Sequence, residues 1–267
     1  TQIFAEAFGV PVEAVSRIGA DTDVTPDAGK TSASRQTFVS GNAARLTGLA
    51  LRRKLLTFVN AGLDPGISVT PDGIIVRDAG VAHRVDLSGL APDPEGYVLL
   101  AQETYDPPTE PLDVNGQGAP YAQYGYAAHL AVVEVDLALG TTRALRFVAA
   151  HDVGLAINPA LAEGQVQGGI AQGLGMALME EYLPGRTENL HDYLIPTIGD
   201  IPDIETLLIE APDAHGPHGA KGLGEHVLIP TAPAIMNAIK DACGVRITRL
   251  PATPSRLRAA LKEVGHA

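Results

Sequence analysis

Residues 160–182 set the tightest limit on what this chain can fold into. Val166, Ile170, Leu174, Ala177 and Leu178 recur at helical spacing and form an apolar stripe. Glycines stand at 164, 168, 169, 173 and 175 in the same run. Each helical glycine costs about 1 kcal/mol relative to alanine. A helix carrying them must be held by a core on one side, with a close neighbour to its backbone on another. Gln165, Gly168, Gly169, Gln172 and Gly175 share that second face at i, i+3, i+4, i+7 spacing. Close packing through small residues explains the glycines alone. The two glutamines, each a donor and an acceptor, point instead to a polar ligand that nearly touches the backbone.

Around this helix, strands and helices are interspersed without a regular βαβ period, which predicts an α+β fold of mixed sheets with flanking helices. A first short helix carries Ile3, Phe4, Ala7 and Phe8 and is stopped by Gly9 and Pro11. A second spans 40–59, with Leu46, Leu49, Ala50 and Leu56 inward and Arg45, Arg52, Arg53 and Lys54 toward solvent. A hairpin is expected at 67–76 across Thr70-Pro71-Asp72-Gly73, and another from 130–137 to 143–150. A buried strand follows at 204–209, then a Gly-rich loop at 211–226 and a helix at 231–243 ended by Gly244. Val245–Thr248 reads as a short strand and 254–264 as a last helix. Residues 106–125, rich in Pro, Gly and Asn, read as a linker. One domain over 1–267, divisible into two sublobes near 106–125, is the expected organisation.

Charge and cysteine count exclude several function classes. Asp plus Glu outnumber Lys plus Arg by 31 to 19, and no basic block occurs, which argues against nucleic acid and anionic membranes as partners. The single cysteine, Cys243, excludes an internal disulfide framework, a Cys-ligated zinc finger and an iron–sulfur cluster held by this chain alone. No apolar run approaches the roughly 18 residues of a membrane span, and no leader pattern opens the chain, so a cytoplasmic location is expected. Thr1 leads straight into a helical pattern, as in a piece that starts inside a larger unit.

Two further segments carry chemistry. His215-Gly216-Pro217-His218-Gly219-Ala220-Lys221-Gly222-Leu223-Gly224-Glu225 ends a glycine-rich stretch on a carboxylate, just before the apolar run Val227-Leu228-Ile229. A carboxylate at the edge of an apolar wall suits a general base, because partial burial raises its pKa toward neutrality. A surface turn with a solvated Glu is the competing reading of the same residues. His215 and His218 have no third ligand nearby, so they do not read as a metal site. Thr31 to Gln36, ahead of a helix, suits either a phosphate or an ordinary helix cap.

In this order, the segments resemble the molybdenum-cofactor subunit of the xanthine dehydrogenase / aldehyde oxidase / carbon monoxide dehydrogenase family, over its C-terminal half. The resemblance rests on Ser32-Ala33-Ser34-Arg35-Gln36-Thr37 with Ser40-Gly41-Asn42-Ala43, on His151-Asp152-Val153-Gly154 with Asn158-Pro159, on Glu163 to Gly169 with Gln172 to Gly175, and on Gly219 to Glu225. It implies the second half of a molybdopterin-binding domain in a molybdenum hydroxylase. It implies Glu225 as the catalytic base and Ala33, Ser34, Arg35 and Gln36 on the pterin and nucleotide part of the cofactor. Gln165 would bond the pterin or phosphate region, and Lys221, Gly222 and Gly224 would shape the backbone beside the metal. No protein ligand to the metal is implied. The expected reaction is hydroxylation of an aldehyde or N-heterocycle with oxygen from water. The expected cofactor is molybdenum–molybdopterin in the cytosine dinucleotide form. The expected partners are a complementary N-terminal half, a [2Fe–2S] subunit and an FAD subunit. A scaffold subunit that keeps the fold without catalysis is the alternative. A nucleotide-binding enzyme unrelated to molybdenum ranks lower, since the chain has neither a P-loop nor a Rossmann fingerprint.

Overall fold

The structure is a computed structural model and describes residues 1–62, 65–71 and 73–266. The chain divides into two units, Thr1–Ala122 with Ala214–Ala220, and Gln123–Asp213 with Lys221–Ala267.

In the first unit, helix α1 (Gln2–Phe8) packs on α2 (Gly41–Phe58). Gly48 makes the approach close: a Cβ there would stand 2.9 Å from both Ala7 Cβ and the Phe4 carbonyl. Strands β1 (Gly66–Thr70), β2 (Gly73–Asp78) and β3 (Val81–Val85) form an antiparallel sheet in that order. Phe8, Leu55, Leu56, Val76 and Val85 are its buried core. Asp72 of the expected first turn lies outside the described residues. Strand β3 has little signature in the sequence. Its turn is Ala79-Gly80, both at positive φ, the backbone a two-residue hairpin of this twist demands. Arg52, expected in solvent, instead donates to the carbonyls of Phe8 (2.9 Å) and Pro65 (2.6 Å), tying the end of α1 to the loop before β1. Residues 86–126 contain no helix or strand.

In the second unit, β4 (Ala127–Asp136) runs antiparallel to β5 (Thr141–Asp152), which runs parallel to β6 (Asp203–Ile209). Between these parallel neighbours the chain passes through α3 (Pro159–Leu178), so β5, α3 and β6 make one βαβ unit. Helix α4 (Thr231–Cys243) and α5 (Pro254–Glu263) complete the unit. Phe147 and Ala149 of β5, Val166, Ile170 and Leu174 of α3, Ile235 and Ile239 of α4, and Leu257 and Leu261 of α5 form the core. Val245–Thr248, expected as a strand, is not one: Val245 is buried in this core, but the segment joins no ladder. Among the described residues no helix is long and apolar enough to cross a membrane.

Candidate active site

Helix α3 starts with a proper cap, in which Asn158 Oδ1 accepts from Leu161 N at 3.1 Å and Pro159 fills the first position. Its inward face is Val166, Ile170, Leu174 and Ala177, all buried. The five-residue face expected from the sequence separates into two parts. Gly169 and Gly175 serve packing: a Cβ on Gly169 would sit 2.8 Å from Val227 Cβ, and one on Gly175 would meet Glu180 and Pro196. Gly173 is likewise pressed on Thr231, 2.5 Å from its Cβ. Gln165, Gly168 and Gln172 stay exposed. A Cβ on Gly164 or Gly168 would find nothing within 4 Å. So part of this helix is bare backbone beside two carboxamides, with no demand from the fold for glycine.

The Val227 contact links α3 to the loop that carries Glu225. Lys221 opens this loop and is turned inward. Its backbone N donates to Val153 O at 2.9 Å, and its Nζ donates to Asp152 Oδ2 at 2.6 Å and to Tyr124 O at 2.9 Å. The ammonium lies 5.6 Å from the centre of the Tyr126 ring. The Lys221 and Asp152 side chains are only 10% and 11% exposed, so the lysine charge is neutralised inside the unit. Gly222 is half-buried, and Gly224 and Glu225 are exposed. Of the apolar run after Glu225, Val227 is buried and Ile229 is 64% exposed.

The second unit also holds a histidine cluster with little signal in the sequence. His129 of β4 and His151 of β5 meet Nε2 to Nε2 at 2.7 Å, and Thr231 Oγ1 lies 3.2 Å from His129 Nδ1. His226, next after Glu225, stacks at a tilt on His151 with ring centres 5.4 Å apart. Burial pushes His129 down to about 4. Burial does the same to His151, with His129 and His226 as neighbours adding to it. His226 is also lowered, by burial first, with Lys221 adding and Asp152 opposing. His151 Nδ1 and His226 Nε2 are buried without a hydrogen-bond partner among the described residues. The one available signal was that His129 and His151 fall on the inward phase of alternating strands. His215 and His218 lie in the first unit: His218 reaches Ile3 O at 3.1 Å and Glu6 Oε1 at 3.4 Å, and the His215 carbonyl accepts from Asn42.

Ala33, Ser34, Arg35 and Gln36 also lie in the first unit, whereas Gln165, Lys221, Gly222, Gly224 and Glu225 lie in the second. Ala33 and Ser34 both have positive φ, 56° and 53°, and Arg35 follows in the right-handed region. Arg35 N donates to Ser32 O at 3.3 Å, closing this turn on itself. Arg35 Nη1 donates to the Ala28 and Lys30 carbonyls, and Gln36 bridges Thr31 and Ser40. A π-turn, Gln36–Ser40, then leads into α2.

The family model for the molybdopterin cofactor-binding domain matches residues 1–202. The chain is 35% identical over 272 residues to the xanthine dehydrogenase molybdenum-binding subunit of Escherichia coli O157:H7, covering 96% of this chain and 35% of that protein. It is 33% identical over 267 residues to subunit gamma of the 6-hydroxypseudooxynicotine dehydrogenase complex of Paenarthrobacter nicotinovorans, covering 96% of this chain and 33% of that one. The crystal structure of the aldehyde oxidoreductase of Desulfovibrio desulfuricans superposes with a TM-score of 0.78 at 30% identity, over 97% of this chain and 26% of that chain. The chain thus spans about a third, or less, of the length of the proteins it matches.

Proposed function

The chain belongs to the molybdopterin cofactor-binding family of molybdenum hydroxylases, and from that premise we propose that it forms half of the active site of an oxidoreductase that hydroxylates an aldehyde or N-heterocycle with oxygen from water. The observation that carries the reading is the exposed strip Gln165–Gly168–Gln172 on α3, glycine where the fold itself needs none. This donor set fits a pterin: two carboxamides able to match its ring nitrogens and oxygens, beside backbone that a Cβ would cover. Ala33, Ser34, Arg35 and Gln36, on the turn that leads into α2, are assigned to the nucleotide part of a dinucleotide form, for which we take the cytosine compound.

When bound, the cofactor supplies Lewis acidity and the two-electron oxidation. The chain's own residues supply proton transfer and placement. Glu225 is the base that takes the proton lost as the water-derived oxygen adds to the electron-poor carbon of the substrate. It is exposed in this chain. Lys221 orders the loop from below rather than offering its charge to a ligand. Gly222 and Gly224 leave the loop backbone free of side chains on either side of Leu223.

The electrons need further carriers. One cysteine cannot hold a [2Fe–2S] cluster. We therefore assign the clusters and the FAD to partner subunits, and the rest of the substrate pocket to a complementary molybdenum-binding half, in a cytoplasmic complex. The test is Glu225→Gln in the assembled enzyme. Turnover is expected to fall by roughly 10²–10⁴-fold with molybdenum still bound. Unchanged turnover sinks the base assignment. An intact complex free of molybdenum moves the scaffold reading to the front.

A further inference from the structure

We infer that Asp152 and Gly125 are positioning residues for Glu225, which clamp the two ends of its loop, Asp152 through Lys221 and Gly125 through the ring of His226. This rests on the reading of Glu225 as the base. The upstream anchor is Lys221, four residues before Glu225. It is held by its backbone N on Val153 O and by its ammonium on Asp152 Oδ2 and Tyr124 O. Asp152 is itself fixed. It is the last residue of β5, the central strand of its sheet. Its N donates to Tyr126 O at 2.9 Å, and its other carboxylate oxygen accepts from Gly154 N at 3.0 Å.

The downstream anchor is His226. Its ring lies flat enough on Gly125 that a Cβ there would stand 3.0 Å from Cε1 and 3.1 Å from both ring nitrogens. Val227, next in the chain, is buried against Gly169. One tripeptide, Tyr124-Gly125-Tyr126, therefore meets both anchors: Tyr124 O and the Tyr126 ring at Lys221, and Gly125 at His226. Between the anchors lie Gly222 and Gly224, whose backbone freedom leaves the path of this stretch to be set by its ends. Misplacing a catalytic group by about 1 Å costs on the order of 10²-fold in rate, so a base on such a segment needs both ends fixed.

The experiment uses Asp152→Asn and Gly125→Ala, each in the assembled enzyme. Gly125→Ala removes no functional group and only displaces the His226 ring, so it decides the matter if Asp152→Asn fails to fold. The expected result is a fall in kcat of about tenfold to a hundredfold, with KM within about twofold and molybdenum content unchanged. Amide exchange at residues 222–226 is expected to quicken in the same variants. Asp152→Glu, which keeps the charge, should recover most of the lost kcat. Unchanged kcat in both variants overturns the inference. So does a loss of activity with exchange at 222–226 unaltered, because the residues would then act on the fold or the cofactor and not on the loop. Exchange is also measured in a Glu225→Gln background, where no base chemistry is at stake, so failure of the clamp and failure of the base assignment read out separately.

Discussion

The ion pair between Lys221 and Asp152 shows how burial decides what a charge is worth. Both side chains are about nine-tenths buried, and the ammonium has a second acceptor in Tyr124 O. Removing one partner strands the other, at a cost of about 3–5 kcal/mol. Arg146 and Glu205 are as close, at 2.5 Å, but their side chains are 57% and 50% exposed. Such a pair contributes about 0–1 kcal/mol. Lys221→Met should therefore lower the melting temperature by many degrees, and Glu205→Gln should barely move it. Thermal melts of the two variants beside the parent chain check this; comparable shifts would mean that the Lys221 site is wetter than its geometry shows. Lys221 was legible in the sequence as part of a glycine-rich motif. Its direction was not, because Asp152 lies 69 residues away and meets it only through the fold of β5.

At the scale of elements, local chemistry made the helices readable and pairing made the strands less so. Gly244 ends α4 in the left-handed region and is visible as a stop, whereas Asn158-Pro159, which caps α3, reads equally as a turn. The strand expected at Val245–Thr248 has the right residues but no neighbour to bond, and β3 depends on an Ala-Gly turn with little signature. The face of α3 was half legible. Glycine spacing showed which positions share a face, but only the packed neighbours show which glycines the core requires. Two substitutions separate these roles. Gly173→Ala must push Thr231, and overpacking of this kind costs about 1–3 kcal/mol, more than the roughly 1 kcal/mol of helix propensity gained. Gly168→Ala meets open space and should stabilise the chain by up to about 1 kcal/mol, while lowering molybdopterin retention in the assembled enzyme. Denaturant midpoints and cofactor content, measured on both, give the answer. A Gly168→Ala enzyme that keeps its full cofactor would remove the bare strip from the site.

Over the whole molecule, two responses to acid oppose each other. The formal net charge is −12, and the isoelectric point lies near 5.0. Lowering the pH from 7 toward 5 therefore relieves self-repulsion across the surface, which favours the folded state. The buried histidines act the other way. Burial holds His129 and His151 down at about 4, against an ordinary value of 6.5. The unfolded chain thus takes up protons first as pH falls. Their contribution is complete above about pH 6.5 and is lost progressively between 6.5 and 4, at a slope of at most about 1.4 kcal/mol per pH unit for each site. The two rings share one hydrogen bond, so the protons belong to the pair rather than to either ring. Surface repulsion is screened beyond roughly 8 Å at physiological salt, whereas the cost of charging a buried ring is screened much less. The histidines should therefore win, and win locally. Between pH 7 and pH 5, amide protection corrected for intrinsic exchange should fall in β4 and β5 of the second unit, while α1 and α2 of the first unit hold or gain protection. Replacing His129 and His151 together by Gln should remove most of the acid loss in β4 and β5, leaving the share of His226. A uniform rise in protection across both units would show instead that net charge governs the response, and the histidine pair would then be a packing feature with no part in how the molecule meets acid.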